Sequence, residues 1–271
     1  MITGSMHIML IILAVVCFIP FYLMLLNATR TGNEIMTGLS LLPGSSLAKN
    51  WQVVTTNMNL GRGFANSLSI AVISTLLMSF SSGMTAYGLA FFKFPGNKVV
   101  FTLLLIFMMV PAQLSLLGFY DQVNKLRMID TYWPLILPSI ASSGTVFFLR
   151  QYVLSVMHPS MLEAPRIDGA SEFRVFVNIV LPIMLPGIAT TAIGGFIGSW
   201  NNYLLPMMLI NSPSKRTLPV MVAELSAVRD ITTNLGATYL VVAISAVPIM
   251  IAFCFFSKYI ISGISAGSVK E

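Results

Sequence analysis

Residues with the types and spacing for chemistry are few in this chain, and they gather in two places. In "EAPRIDGASEFRVFVNIVLP", Glu163 to Pro182, five charged residues (Glu163, Arg166, Asp168, Glu172 and Arg174) fall within twelve positions. Such a run suits a water-exposed loop that seats on a partner, or an ordinary solvated connection. The second place is "SWNNYLLP", residues 199–206. There Trp200 and Tyr203 offer rings that stack on a sugar face, and Asn201 and Asn202 offer amides that bond hydroxyls. The same four residues also suit packing or an aromatic belt at the membrane surface. Catalysis finds no support. His7 and His158 are isolated, without nucleophile–base or metal-ligand spacing around them. A G-x-x-x-x-G-K-[ST] phosphate loop is missing, so any ATP binds another polypeptide. Cys17 and Cys254 lie in apolar runs and read as small core residues, and neither a disulfide framework nor a metal site is expected.

Both clusters sit in an oily chain. Of 271 residues, 56% are apolar and 9% charged, with mean hydropathy +0.85. A soluble domain carries about 25% charged residues, so this is a membrane protein. The net charge of +6 is confined to short loops, which suits anionic lipid; nucleic acid would need a contiguous basic face, and none exists. Six stretches reach the ~20 apolar residues that span hydrocarbon: about 7–27, 66–91, 99–119, 132–153, 183–210 and 236–257. Backbone polar groups must be satisfied inside lipid, so the fold class is all-α with six transmembrane helices. The first stretch is too long for the apolar part of a signal peptide and lacks a basic start, so it reads as a retained span. The fifth, with its flank from Leu181 to Ile210, would be ~45 Å long as a helix. Its Pro186, Gly194, Gly195, Gly198 and Pro206 predict a tilt, kink or break. None of the six cores is expected to hold an acidic or basic residue, which argues against a proton-coupled carrier. An ion-coupled carrier or channel remains the alternative, since a sodium site of carbonyls leaves no such trace. Positive charge does not orient the chain: one side carries seven Lys and Arg, the other eight.

Local signals shape the charged loop. Ser160 with Glu163 three residues on suggests a capping box. Pro165 fits only a first helical turn, so a short helix should begin between Ser160 and Ala164. Gly169 suits a left-handed helix end, and Ser171 can cap a second short helix. Phe173, Phe176, Val177 and Val180 follow at i, i+3, i+4 and i+7 along one face. Pro182 should break that pattern before the fifth span.

On Glu163, Ala164, Asp168, Gly169, Ala170, Leu181 and Pro182 the loop resembles the "EAA" loop of permease subunits of bacterial ATP-binding-cassette importers. It departs at Pro165, where the pattern has alanine. "NSLSIAVISTL", "AYGLAFFKFPGNK", "VPAQLSLLGFY", "DTYWPLILP", "FFLRQY", "SWNNYLLP" and the C-terminal "SGISAGSVKE" resemble the carbohydrate-uptake branch, specifically the smaller, maltose-type permease partner. The resemblance covers residues 60 to 271. It implies a type I importer transmembrane domain, divided as 1–62 (first helix and external loop), 63–262 (core, with the coupling loop at 158–182) and 263–271 (cytoplasmic tail). It implies a location in the bacterial cytoplasmic membrane with loop and both termini cytoplasmic. Its implied partners are a second, homologous permease, two ATPase subunits that bind ATP and Mg, an extracytoplasmic sugar-binding protein and the sugar itself. This chain would hold no cofactor and no catalytic residue. A tail contact with the ATPase would involve Gly263, Gly267 and Lys270. The external loops Ala28–Gly63 and Asn211–Leu235 would face the binding protein. The family usually shows a basic stretch before the first span; "MITGSM" has no charge, so a truncated or altered start is expected.

Overall fold

The computed structural model describes residues 2–227 and 231–268, and among them every regular element is helical. In chain order the first half holds α1 (Ile2–Asn27), α2 (Gly32–Thr37), α3 (Leu47–Asn57), α4 (Leu60–Phe91), α5 (Asn97–Met109), α6 (Leu116–Lys125) and α7 (Trp133–Ile136). The second half holds α8 (Ser143–Val156), α9 (Glu163–Ile167), α10 (Glu172–Val175), α11 (Leu181–Trp200), α12 (Leu204–Leu209), α13 (Leu218–Ala227) and α14 (Ile231–Ser268).

The all-helical membrane fold is as expected. Among the described residues four helical stretches are long and apolar enough to cross a bilayer, Gly4–Asn27, Leu60–Phe91, Glu172–Trp200 and Asn234–Ser257, and a bent pair counted as one span makes five, against the six expected. The stretch expected at 99–119 is instead two helices, Asn97–Met109 and Gln113–Lys125, bent 89° apart. Pro111 explains the bend. It forces the residue before it out of the α region, and Val110 is extended at φ −78°, ψ 121°. The stretch expected at 132–153 is also broken. Pro134 starts α7, Pro138 starts a 3₁₀ turn over Leu137–Ala141, and α8 begins afresh after the extended Ser142. At 14 residues, α8 is about 21 Å long, short of the ~30 Å core. Its Arg150 also lies inside the stretch expected to be free of charge. The guanidinium is half-buried, 4.2 Å from the Phe101 ring centroid, and its Nε donates to the Leu89 carbonyl at 3.3 Å.

Contacts divide the chain into two units. One comprises Met1–Ala65 and Arg216–Met250. Here α1 exposes its apolar residues on every side, which suits a lipid-facing span. Cys17 on α1 and Cys254 on α14, expected as core residues, are both exposed. The connection after α1 is folded, not a bare loop. Thr31 and Glu34 form a capping box on α2, and the Thr29 hydroxyl accepts from Gly44 N–H at 2.8 Å. Asn50 of α3, 3% exposed, donates to the Ala28 and Arg30 carbonyls at 2.8 and 2.9 Å. Gly236 of α14 lies directly against these groups; a Cβ there would overlap the Arg30 carbonyl.

The other unit comprises Asn66–Lys215 and Ile251–Glu271. Its core joins α4 (Ala86, Tyr87), α8 (Leu149, Val153), the charged-loop region (Leu162, Val175, Phe176, Val180) and α11 (Met184, Ile188). Helix α5 leans on α8 through stacked Phe101 and Phe147 rings, 6.2 Å apart. Helix α11 approaches its neighbours at two glycines. A Cβ on Gly187 would stand 2.7–3.1 Å from atoms of the Tyr152 ring, whereas one on Gly195 would meet only the end of Met78.

The ring is stiff and the methionine is not, which separates two otherwise similar substitutions. Gly187→Ala should destabilise the purified protein by about 1–3 kcal/mol through overpacking, visible as a lower melting temperature in detergent. Gly195→Ala should stay within about 1 kcal/mol of the parent, because helix propensity favours alanine by a similar amount.

Candidate functional site

The charged loop is built as two short helices around a left-handed corner. A 3₁₀ turn, Pro159–Leu162, leads into α9, which begins at Glu163, so Pro165 lies within its first turn as its missing N–H requires. Ser160 is not the cap: His158 occupies that position and its ring nitrogen faces the Ser160 amide and hydroxyl. The corner is a Schellman motif. Gly169 has φ +76°, its N–H donates to Arg166 C=O at 3.1 Å, and Ala170 N–H donates to Pro165 C=O at 3.0 Å. Ser171 then caps α10, its hydroxyl accepting from Arg174 N–H at 3.4 Å.

Pro182 does not break the chain before the span. Helix continues from Glu172 to Trp200 through one π-helical turn at Phe176–Val180, where Leu181 N–H reaches back to Phe176 C=O. A proline removes one backbone donor and crowds the carbonyl four residues back. Widening the preceding turn relieves that crowding and keeps the helix whole. The widened turn also changes which residues face inward: Val175, Phe176 and Val180 are buried, Val177 is half-buried, and Phe173 is 60% exposed. The sequence-predicted stripe therefore holds for three of its four members.

Three contacts fasten this loop to the end of α4. Arg166 makes two bonds to Glu172, Nε to Oε1 at 2.8 Å and Nη2 to Oε2 at 3.3 Å, and Tyr87 O–H donates to Glu172 Oε2 at 2.8 Å. The Arg166 guanidinium lies 5.5 Å from the Phe92 ring centroid. Phe176, 1% exposed, stacks on Tyr87 at 5.8 Å and meets Phe80 edge-on at the same distance. Above this anchored base Glu163, Ala164, Ile167, Asp168 and Gly169 stay exposed, Ala170 and Leu181 are half-buried, and Pro182 is exposed. A two-toothed Arg–carboxylate pair resists rotation in a way a single bond does not, so the tip and the start of α11 are held as one piece.

The second candidate cluster is divided by the structure. Trp200 ends α11 buried at 1% exposure, its indole stacked on Phe196 with centroids 6.1 Å apart. The helix breaks there, and Asn201 and Tyr203 are exposed. Asn202 Oδ1 accepts from Leu205 N–H at 3.4 Å, at the start of α12. The break predicted within Leu181–Ile210 thus falls at 201–203, and α11 runs through Pro186 unbroken. Of the three tail residues, Gly263 and Gly267 fall in the last turns of α14, and Lys270 lies outside the described residues.

Asp130 is a structural centre that the sequence patterns passed over. Its backbone is left-handed at φ +60°, uncommon for a residue with a side chain. Its N–H donates to Leu209 C=O at 2.8 Å; its Oδ1 accepts from the amides of Asn211 and Ser212 at 3.0 and 2.9 Å. Its Oδ2 accepts from the Ser212 hydroxyl at 2.6 Å and from Lys215 Nζ at 3.1 Å, and Lys215 also reaches the Asp130 carbonyl at 2.6 Å. The Ser212 hydroxyl and then its amide, with help from Lys215 and Asn211, hold the carboxyl well below the usual aspartate range against an opposing desolvation effect. The clasp joins the loop before α7 to the segment after α12.

These features match known proteins. Residues 76–265 match the family model described as "Binding-protein-dependent transport system inner membrane component". The chain belongs to this family. The permease is 34% identical to the arabinooligosaccharides transport system permease protein AraQ of Halalkalibacterium halodurans, over 95% of this chain and 93% of that protein. It is 29% identical to the diacetylchitobiose uptake system permease protein NgcG of Streptomyces coelicolor, over 97% of this chain and 88% of that protein. Its fold is similar to a chain in the crystal structure of a bacterial ABC transporter involved in the import of the acidic polysaccharide alginate. That match has a TM-score of 0.77 at 20% identity and covers 96% of each chain. The permease is thus a membrane component of an ABC transporter, with the transmembrane fold of an ABC importer.

Two expectations test the geometry. Position 169 requires positive φ, so stability of the loop should fall in the order Gly, Asn, Val. A β-branched residue costs roughly 1–2 kcal/mol there, read as faster proteolysis between residues 158 and 182 and lower transport by the assembled system at unchanged membrane insertion. For Asp130 the folded carboxyl titrates below its unfolded value of about 3.9. Its contribution is therefore whole above about pH 4 and lost as pH falls through the folded value. Asp130→Asn should lower the melting temperature of the permease at pH 7 and flatten its decline below pH 4.

Proposed function

We propose that the permease forms half of the translocation pathway of an ATP-driven, binding-protein-dependent sugar importer, with an oligosaccharide as cargo. The observation that carries this reading is the loop at 158–182, anchored at its base and bare at its tip. A cleft on an ATPase subunit that gripped Glu163 to Ala170 would transmit its movement through the Arg166–Glu172–Tyr87 joint into α4 and α11. Carbohydrate cargo is supported by relatives named for arabinooligosaccharides and diacetylchitobiose.

On this reading the loop and both termini are cytoplasmic, and the tail with Gly263, Gly267 and Lys270 reaches toward the ATPase. Two ATPase subunits bind ATP and Mg, and this chain performs no catalysis. A second, homologous permease completes the pathway, which Asn201 and Tyr203 line at the helix break. Trp200 supports that break from behind, through its stack on Phe196. An extracytoplasmic binding protein delivers sugar to the side that carries Ala28–Gly63 and Asn211–Leu235.

Reconstitution in liposomes tests the reading. Uptake of labelled arabinotriose, maltotriose or diacetylchitobiose should need ATP and all five polypeptides (this chain, the second permease, two ATPase subunits and the binding protein), and Glu163→Lys should abolish it while the complex still assembles. Sugar uptake by this chain without any ATPase would sink the proposal and favour an ion-coupled carrier.

A further inference from the structure

Between α3 and α4 lies an open cleft of about 750 Å³, lined by Trp51, Thr55, Thr56, Asn57, Met58, Asn59, Leu60, Gly61, Phe64 and Ile244. All belong to the first unit, remote in sequence from the coupling loop and from the 201–203 break. The volume falls within the range of about 300–1,000 Å³ typical of small-molecule sites. Trp51 is 48% exposed, which leaves ring surface open.

The polar groups are arranged in complementary pairs by the local fold. Asn57 Nδ2 donates to Val53 C=O at 2.8 Å, which leaves its Oδ1 as the available acceptor. Asn59 Oδ1 accepts from Arg62 N–H at 3.0 Å, at the start of α4, which leaves its NH₂ as the available donor. The Thr55 hydroxyl proton points to the Trp51 and Gln52 carbonyls, both at 3.1 Å, so the oxygen faces outward as an acceptor. Donors and acceptors thus stand beside an aromatic face, and none of the lining side chains is charged. A hydroxyl both donates and accepts, and a pyranose carries several around an apolar face. None of the lining side chains offers a phosphate or carboxylate a counter-charge.

We propose that this cleft is a carbohydrate-binding subsite for a neutral sugar unit: Trp51 stacks on the ring, and Asn57, Asn59 and Thr55 bond its hydroxyls. It rests on the importer reading for the cargo class and adds a sugar contact at the mouth of α4, apart from the pathway residues Asn201 and Tyr203.

The test uses the full complex in lipid nanodiscs without binding protein, titrated with maltotriose, arabinotriose and diacetylchitobiose. At least one sugar should change the tryptophan emission of the parent, and Trp51→Phe should remove that change. Asn57→Ala with Asn59→Ala, and separately the near-isosteric Thr55→Val, should raise the sugar concentration for half-maximal response about tenfold, as loss of one or two good polar contacts predicts. Size-exclusion of each variant complex confirms assembly. Equal emission changes in parent and Trp51→Phe, or no change with any sugar, would overturn the proposal and leave Trp51 an interfacial anchor. Variants that leave the sugar response in nanodiscs unchanged and, in the liposome assay with binding protein, alter only the concentration of binding protein needed for uptake would overturn it in favour of a protein-docking surface. A complex that responds to sugar yet takes none up would sustain the subsite while the importer reading failed.

Discussion

Backbone that leaves the α-helical pattern in a membrane protein must find its hydrogen bonds inside the protein, because lipid offers none. This constraint organises the permease. At Val110 and Pro111 the chain turns through 89° and restarts in a 3₁₀ turn. At Ser142 it restarts with a Ser142–Thr145 hydroxyl pair, 2.8 Å apart. At Asn201 the turn is closed by backbone bonds to Ile197 and Ser199, and α12 begins under the side chain of Asn202. The three breaks are closed differently: by a backbone bond from Leu114 N–H to Pro111 C=O, by a hydroxyl pair at Ser142, and by a side-chain bond to backbone at Asn202.

The charged loop is fixed where it joins the spans and bare at its tip. Its base is wired to α4 by Tyr87, Phe92 and Phe176, all within one unit. Its tip is held by backbone bonds of the Gly169 corner, which leave the side chains of Glu163, Ile167 and Asp168 exposed.

Much of this loop was legible in the sequence because its signals are local. Gly169, Ser171 and Pro165 constrain φ, a capping oxygen and a helix start, and each acts within four residues. Pro182 was misread for the opposite reason: it reads as a break unless the preceding turn can widen, and only packing of Phe176 and Val180 against α4 and α8 shows that it does. Asp130 escaped notice because its partners lie about 80 residues away. Arg150 was overlooked as a charge inside an apolar stretch; what makes it tolerable is the Phe101 ring, again remote in sequence. The apolar runs at 99–119 and 132–153 satisfied a length rule while carrying the prolines that break them.

The π turn at Phe176–Val180 has one more consequence. It accommodates one residue more than an α-helical path of the same rise, and each residue turns a helix by about 100°. The compass bearing of the charged loop around the axis of α11 is therefore set by a single residue count. A chain of identical composition but one residue shorter here would form a smoother helix and aim the same loop a quarter-turn or more away from its present heading. In this helix the imperfection is the alignment mark.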